Sequence, residues 1–192
     1  MNPVDRSTLI RLLSERSLRR GKFTLASGRE SAYYVDARLT SMSPEGLATI
    51  GPLALSAIRD RGWRVDAVGG LTLGADPVSY AIAVASVASP PLVRAFTVRK
   101  EAKQHGTGRL IEGPMNEGDH VVVIEDVITT GGSALRAVEA IQRAGASISG
   151  IVAVVDREEG GRSVLEQQGF EVVCLATVSE LLDQAPAGTA SS

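Results

Sequence analysis

Cysteine and histidine are nearly missing from this chain, and their scarcity narrows its chemistry at once. Cys174 is the only cysteine, so no disulfide forms within the chain, as suits a reducing compartment. It lies in an apolar run and is expected to pack as a small hydrophobe. One cysteine and two histidines cannot assemble a zinc site. An excess of one charge is also absent: 20 Lys and Arg face 22 Asp and Glu, for a net charge of −2. No chain-wide field draws the protein to nucleic acid or to a membrane, so any basic function has to be local. No apolar run approaches the length of a membrane span. The first thirteen residues lack a basic segment followed by an unbroken apolar stretch, which argues against a signal peptide. The expectation is a cytoplasmic protein without nucleic-acid or membrane partners. No G-x-x-x-x-G-K-[ST] run occurs, which excludes a Walker nucleotide site. Repeats and linkers are absent too. The 192 residues suit a single domain over 1–184 with a small, polar, disordered tail at 185–192.

What is present centres on Val121-Val122-Val123-Ile124-Glu125-Asp126-Val127-Ile128-Thr129-Thr130-Gly131-Gly132-Ser133. Four consecutive β-branched residues predict a strand buried on both faces, as in a parallel sheet. Two carboxylates are expected where that strand ends. A hydroxyl- and glycine-rich turn follows, and a helix opens at Ser133. Strand, compact turn and helix N-terminus together make an anion site, because backbone N–H groups and the helix dipole converge on the turn. Adjacent acids beside an anion site are unfavourable unless they serve hydroxyls or a metal. The neighbouring diol of a ribose fits, so the ligand suggested is a phosphorylated ribose with a divalent cation nearby.

The rest of the chain supplies partners for that stretch. Residues 4–16 pattern as an amphipathic helix with Leu9, Ile10, Leu12 and Leu13 on its apolar stripe. Residues 21–29 read as a strand entering a turn, and 32–36 as a second strand at hairpin-like separation. Tyr33 and Tyr34 fall on opposite faces of it, where each could stack on a flat ligand or pack in the core. Ser43-Pro44-Glu45 opens a helix to about Arg61, with a capping serine and proline at the first helical position. A strand at 65–68 leads into Gly69-Gly70-Leu71-Thr72-Leu73-Gly74-Ala75-Asp76-Pro77, a second backbone-lined anion loop before a helix starting at Pro77. A strand at 92–98 runs into Arg99-Lys100-Glu101-Ala102-Lys103-Gln104-His105-Gly106-Thr107-Gly108-Arg109, a basic segment suited to close over a polyphosphate. The strand at 148–155 ends at Asp156-Arg157, and an arginine in that place can grip a carboxylate in bidentate fashion. A helix at 162–168, a strand at 171–176 and a helix at 178–184 follow.

The 121–133 stretch resembles the phosphoribosyl pyrophosphate (PRPP) motif of type I phosphoribosyltransferases. Arg-Lys-Glu-Ala-Lys-Gln-His-Gly at 99–106 resembles the catalytic loop of orotate phosphoribosyltransferase. With residues 23–36, the 69–77 loop and Asp156-Arg157, the resemblance covers the chain almost end to end. It implies an α/β, type I phosphoribosyltransferase fold: a central, mainly parallel sheet flanked by helices, with a small N-terminal hood. It also implies transfer of phosphoribose from PRPP to orotate, giving orotidine 5′-monophosphate and pyrophosphate in pyrimidine biosynthesis. Mg²⁺ is the implied cofactor, held mainly by substrate and water, and the implied assembly is a homodimer with shared active sites. Carried over position by position, Glu125 and Asp126 hold the ribose hydroxyls, Thr129, Thr130, Gly131, Gly132 and Ser133 cradle the 5′-phosphate, and Val127 and Ile128 belong to the same PRPP-binding run. Arg99, Lys100, Lys103 and His105 close on the pyrophosphate, beside a pyrophosphate loop of Leu71, Thr72, Leu73 and Gly74. Thr129, Arg157, Tyr34 and Val35 meet orotate, and Lys103, His105 and Asp126 are the catalytic residues.

Two positions depart from the family pattern. Ala26 and Leu73 stand where lysines are often found, which removes positive charge from the pyrophosphate side. Arg29 and Arg38 are candidates to make up for it. A phosphoribosyltransferase for another nucleobase would share the 125–133 motif but should lack the 99–106 loop and Arg157 together. A non-catalytic PRPP-sensing regulator would need a nucleic-acid domain or a basic face, and the chain has little room or charge for either.

Overall fold

The computed structural model describes residues 6–24, 30–101 and 110–184. The chain opens with helix α1 (Arg6–Arg16), followed by strands β1 (Leu18–Thr24) and β2 (Glu30–Val35) and a short helix α2 (Arg38–Ser41). Helix α3 (Pro44–Asp60), strand β3 (Ala67–Leu71), helix α4 (Ala75–Ala88) and strand β4 (Arg94–Val98) come next. Strand β5 (Ile111–Glu112), strand β6 (His120–Ile128), helix α5 (Gly132–Arg143) and strand β7 (Ser147–Asp156) carry the chain back through its centre. Helix α6 (Gly161–Gln167), strand β8 (Val172–Thr177) and helix α7 (Val178–Gln184) complete it.

β1 and β2 pair antiparallel as a sheet of their own, the expected hood. The main sheet runs β5-β4-β3-β6-β7-β8. All its pairings are parallel except that of β4 with β5. From β3 the chain moves one way to β4, and from β6 the other way to β7 and β8. The order therefore reverses between β3 and β6. Right-handed crossovers running in opposite directions put α4 and α5 on opposite faces of the sheet. At such a reversal the loops beyond the C-terminal strand ends part and leave a crevice.

Burial follows the strand period of two. Val122 and Ile124 face a layer that includes α1, α3, α4 and α7, where Leu9, Ile50, Ile58, Val78, Ile82 and Leu181 are buried. Val121 and Val123 face Ala134, Ala137, Val138 and Ile141 of α5 and Leu165 of α6. Leu9, Leu12 and Leu13, each almost fully buried, anchor α1 with about 1.5–3 kcal/mol apiece of apolar transfer.

The structure moves several expected boundaries. β6 does not end at the carboxylates; it continues to Ile128, because its pairing with β7 persists to Ile128 opposite Asp156. α4 starts at Ala75, ahead of Pro77, as proline tolerates a first-turn position. β1 starts at Leu18, earlier than its sequence suggests, since its mostly exposed residues show no apolar alternation. α2 and the two-residue β5 have no counterpart in the sequence pattern. The tail at 185–192 lies outside the described residues.

Candidate active site

The crevice beyond β3 and β6 is a cavity of about 330 Å³. Glu125, Asp126, Val127, Thr129 and Ser133 line it from the β6–α5 side, and Leu71, Thr72, Leu73 and Gly74 from the β3–α4 loop. Tyr34 and Val35 of the hood, Lys100 after β4 and Arg157 after β7 close its remaining sides. Five stretches far apart in sequence therefore meet where the topology predicts a ligand.

The turn from β6 into α5 is built for an anion. Gly131 adopts φ 82°, a left-handed conformation that most side chains resist, and it directly precedes the helix. No side chain caps α5, and its first turn holds no acid. The N-terminus of such a helix, with its leading N–H groups and the positive end of its dipole, suits an anion. A smaller cavity of about 50 Å³ lies here, walled by Glu125 and residues 127–133.

The two carboxylates differ in surroundings. Adjacent strand residues face opposite sides of a sheet. Glu125 is 7% exposed, and its Oε2 has no hydrogen-bond partner among the described residues. Burial, reinforced by the Asp126 charge and only partly offset by Arg136, pushes its carboxyl up to about 8. Burial also raises Asp126, against a Val127 N–H that donates to its Oδ1 at 2.9 Å and the positive charge of Arg38. A Cβ at position 74 would come within 2.3 Å of Asp126 Oδ1, so glycine there lets the loop and the carboxylate meet.

Arg157 is 6% exposed. Its Nη2 lies 2.8 Å from Glu159 Oε1, and its guanidinium sits 5.3 Å from the centroid of the Tyr33 ring. Its Nε has no hydrogen-bond partner among the described residues. Its backbone N–H donates to the Ile128 carbonyl at 3.0 Å, prolonging the β6–β7 ladder and fixing the arginine beside the motif. The hood strand does split its tyrosines. Tyr33 packs towards the core and Arg157, while Tyr34, 39% exposed, lines the cavity and lies 5.7 Å from the Phe23 ring.

Other expected residues fall differently. Thr130, Gly131, Gly132 and Ile128 border the small cavity rather than the large one. Arg99 does not line the cavity: it pairs at 3.6 Å with Glu112 on β5, the antiparallel neighbour of its own strand. Arg38 lines the cavity, yet Asp36 holds it through two bonds of 2.8 and 2.9 Å, so little of its charge is left over. Lys103, His105, Ala26 and Arg29 lie outside the described residues. Sequence reasoning missed Asp36, Arg136 and Glu159. Arg136 sits one turn beyond Ser133, with its Nη2 3.4 Å from the Ser133 hydroxyl, and the helical spacing could have revealed it.

Among the described residues no group of three or more His, Cys, Asp or Glu is placed to hold a metal ion, and no helix is long and apolar enough to cross a membrane.

Residues 43–176 match the family described as Phosphoribosyl transferase domain. The class defined by fold and site is thus that of the phosphoribosyltransferases of type I fold. The chain is 46% identical over 182 residues to the orotate phosphoribosyltransferase of Aquifex aeolicus (strain VF5), a match covering 93% of this chain and 98% of that relative. A crystal structure of Mycobacterium tuberculosis H37Rv orotate phosphoribosyltransferase in complex with Fe(III) dicitrate superposes with a TM-score of 0.81 at 43% identity, over 92% of this chain and 98% of that one. Another of the same enzyme, in complex with PRPP, gives 0.78 at 40% identity, with the same coverage. The chain belongs to the orotate phosphoribosyltransferase family.

Proposed function

We propose that this chain transfers the 5-phosphoribosyl group of PRPP to orotate, giving orotidine 5′-monophosphate and pyrophosphate. The observation that carries the reading is the meeting, in one cavity, of an uncapped helix start, two adjacent acids of which Glu125 has an oxygen without a hydrogen-bond partner among the described residues, and a buried arginine. The 5′-phosphate sits on the turn at 129–133. Glu125 and Asp126 take the ribose hydroxyls, and Glu125 Oε2, buried without a hydrogen-bond partner among the described residues, is an acceptor for such a donor. The pyrophosphate lies against the 71–74 loop and Lys100. Orotate stacks at Tyr34 and Val35 with its carboxylate on Arg157, whose Nε has no hydrogen-bond partner among the described residues.

Breaking the C1′–pyrophosphate bond puts positive charge on the ribose and negative charge on the leaving group, while N1 of orotate forms the new bond to C1′. No protein nucleophile is needed. Catalysis rests on positioning and on charge stabilisation. Lys103 and His105 are assigned to the leaving pyrophosphate, where they add charge or a proton. Mg²⁺, held mainly by substrate oxygens and water, would neutralise pyrophosphate charge. The second substrate-side assignment concerns assembly: a homodimer with shared sites, in which Arg99, lying off its own cavity, serves the neighbouring subunit.

The test is the ultraviolet loss of orotate with purified protein, PRPP and Mg²⁺, with uracil and the purine bases run in parallel. Orotate consumption that stops on chelation is expected. Consumption of another base alone would overturn the role given to Arg157. Mixing Lys103→Ala with Asp126→Asn tests shared sites, since activity regained on mixing requires a loop and a carboxylate from different subunits.

A further inference from the structure

Asp76 does not line the cavity, yet it holds two of the segments that border it. Its Oδ2 accepts a hydrogen bond from the Thr72 hydroxyl at 2.6 Å, and its Oδ1 one from the Thr97 hydroxyl at 2.9 Å. Thr72 lies in the loop after β3; Thr97 is in β4, two residues before Arg99. The Tyr80 hydroxyl, one turn along α4, is 3.1 Å from Thr97 Oγ1. Because Thr97 gives its proton to Asp76, Tyr80 is the donor of that bond. The result is a directed chain, Tyr80 to Thr97 to Asp76, met from the other side by Thr72. An ionised carboxylate only accepts, and hydrogen bonds to it are about twice as strong as neutral ones. Two backbone bonds complete the frame: Thr72 N–H to the Val98 carbonyl at 2.8 Å, and Asp76 N–H to the Leu73 carbonyl at 3.3 Å. In the first turn of α4 the Asp76 charge is also favoured by the helix dipole.

The loop has a reason to need such a frame. Its outward side chain is Leu73, 60% exposed and uncharged. What it offers an anion is backbone N–H groups, and fixed dipoles stabilise charge only when they are held in place beforehand.

We infer that Asp76 is a positioning residue that clamps the 71–74 loop to the end of β4, through Thr72 and Thr97, and so orders the loop for a pyrophosphate group. The inference rests on the proposed assignment of that loop to the pyrophosphate of PRPP. Asp76 itself touches no substrate and acts through Thr72.

Initial rates for Asp76→Ala, Asp76→Asn and the near-isosteric Thr97→Val, with PRPP and orotate varied in turn, test it. Asp76→Ala is expected to raise the KM for PRPP about tenfold, the scale of one lost bond to a charged group, with the KM for orotate changed less than about twofold. Asp76→Asn should fall between, because its amide oxygen still accepts while its NH₂ cannot. Thr72→Val added to Asp76→Ala should cost little further, as the Thr72–Asp76 bond is already lost in Asp76→Ala. An equal rise in both KM values, or a lowered melting temperature with PRPP kinetics unchanged, overturns the assignment. If the wild-type chain does not consume orotate, the proposed function fails by itself. Calorimetric titration with pyrophosphate then decides the clamp: weaker binding by Thr97→Val supports it, and equal binding overturns it.

Discussion

The two ends of the main sheet treat their charges in opposite ways. At the N-terminal end Asp119 accepts from Arg94 at 2.8 Å and from the Asn116 N–H at 2.7 Å. Asp66 there accepts the His120 N–H at 2.9 Å, and that bond leads the causes holding its carboxyl below the usual range. At the C-terminal end Glu125 and Arg157 are both buried, yet each keeps an atom without a hydrogen-bond partner among the described residues. The helix starts differ in the same sense. Ser43 caps α3 by accepting the Gly46 N–H at 3.1 Å, whereas α5 starts on an uncapped glycine. The N-terminal end pairs its carboxylates within the chain, though His120 Nδ1 has no hydrogen-bond partner among the described residues. The C-terminal end leaves a carboxylate oxygen and a guanidinium nitrogen without one. Groups that cost stability when left unpaired are where binding energy is concentrated.

The largest effect that would sharpen this contrast is expected from Asp126→Asn, which should lower kcat/KM about 100-fold through loss of charge facing the ribose. A circular-dichroism melt close to wild type is expected beside it. Arg157→Lys should raise the KM for orotate about tenfold or more while leaving that for PRPP unchanged, because lysine lacks the planar fork that takes a carboxylate. Steady-state kinetics with each substrate varied would separate the two.

Glu125 sets a pH dependence. Its folded carboxyl titrates near 8 against a usual 4.5, so between those values the folded chain keeps a proton that the unfolded chain has lost. Its contribution to stability is therefore full below about pH 4.5 and lost as pH rises through about 8. Glu125→Gln should flatten the fall in melting temperature between pH 5 and pH 9. On the proposed assignment of Glu125 to the ribose hydroxyls, which would donate to its ionised form, PRPP binding at pH 7 should release a proton. Calorimetry in buffers of different ionisation enthalpy reads that release, which should vanish in Glu125→Gln. The smallest effect on turnover should come from the N-terminal end. Asp119→Asn should cost about 1–2 kcal/mol in urea unfolding and leave kcat per folded molecule unchanged; a matching loss of activity would erase the contrast.

Much of the site was legible because its residues are local in sequence. The run 121–133 places strand, turn and helix start within thirteen positions, and each is recognisable by residue type. The pairing partners were not. Glu159 lies only two residues after Arg157, but nothing in the sequence says that its carboxylate turns back on the guanidinium. Arg38 was a plausible spare charge until Asp36, also two residues away, was found to hold it. The carboxylates looked like residues beyond a strand because Glu and Asp are poor strand formers; the ladder to β7 overrides that preference.

Residue type and spacing predicted a buried strand from Val121 and a glycine-rich turn and helix start after it, while the mainly parallel α/β sheet was implied by the family resemblance. The strand, turn and helix start follow from β-branched runs, glycine conformations and helix-start signals, all set by neighbours along the chain. Tertiary structure decided the rest: which charges stay unpaired, how far β6 extends, and that Asp76 joins the 71–74 loop to β4. Desolvation and hydrogen bonding depend on atoms brought together from distant positions, and only packing determines which atoms those are.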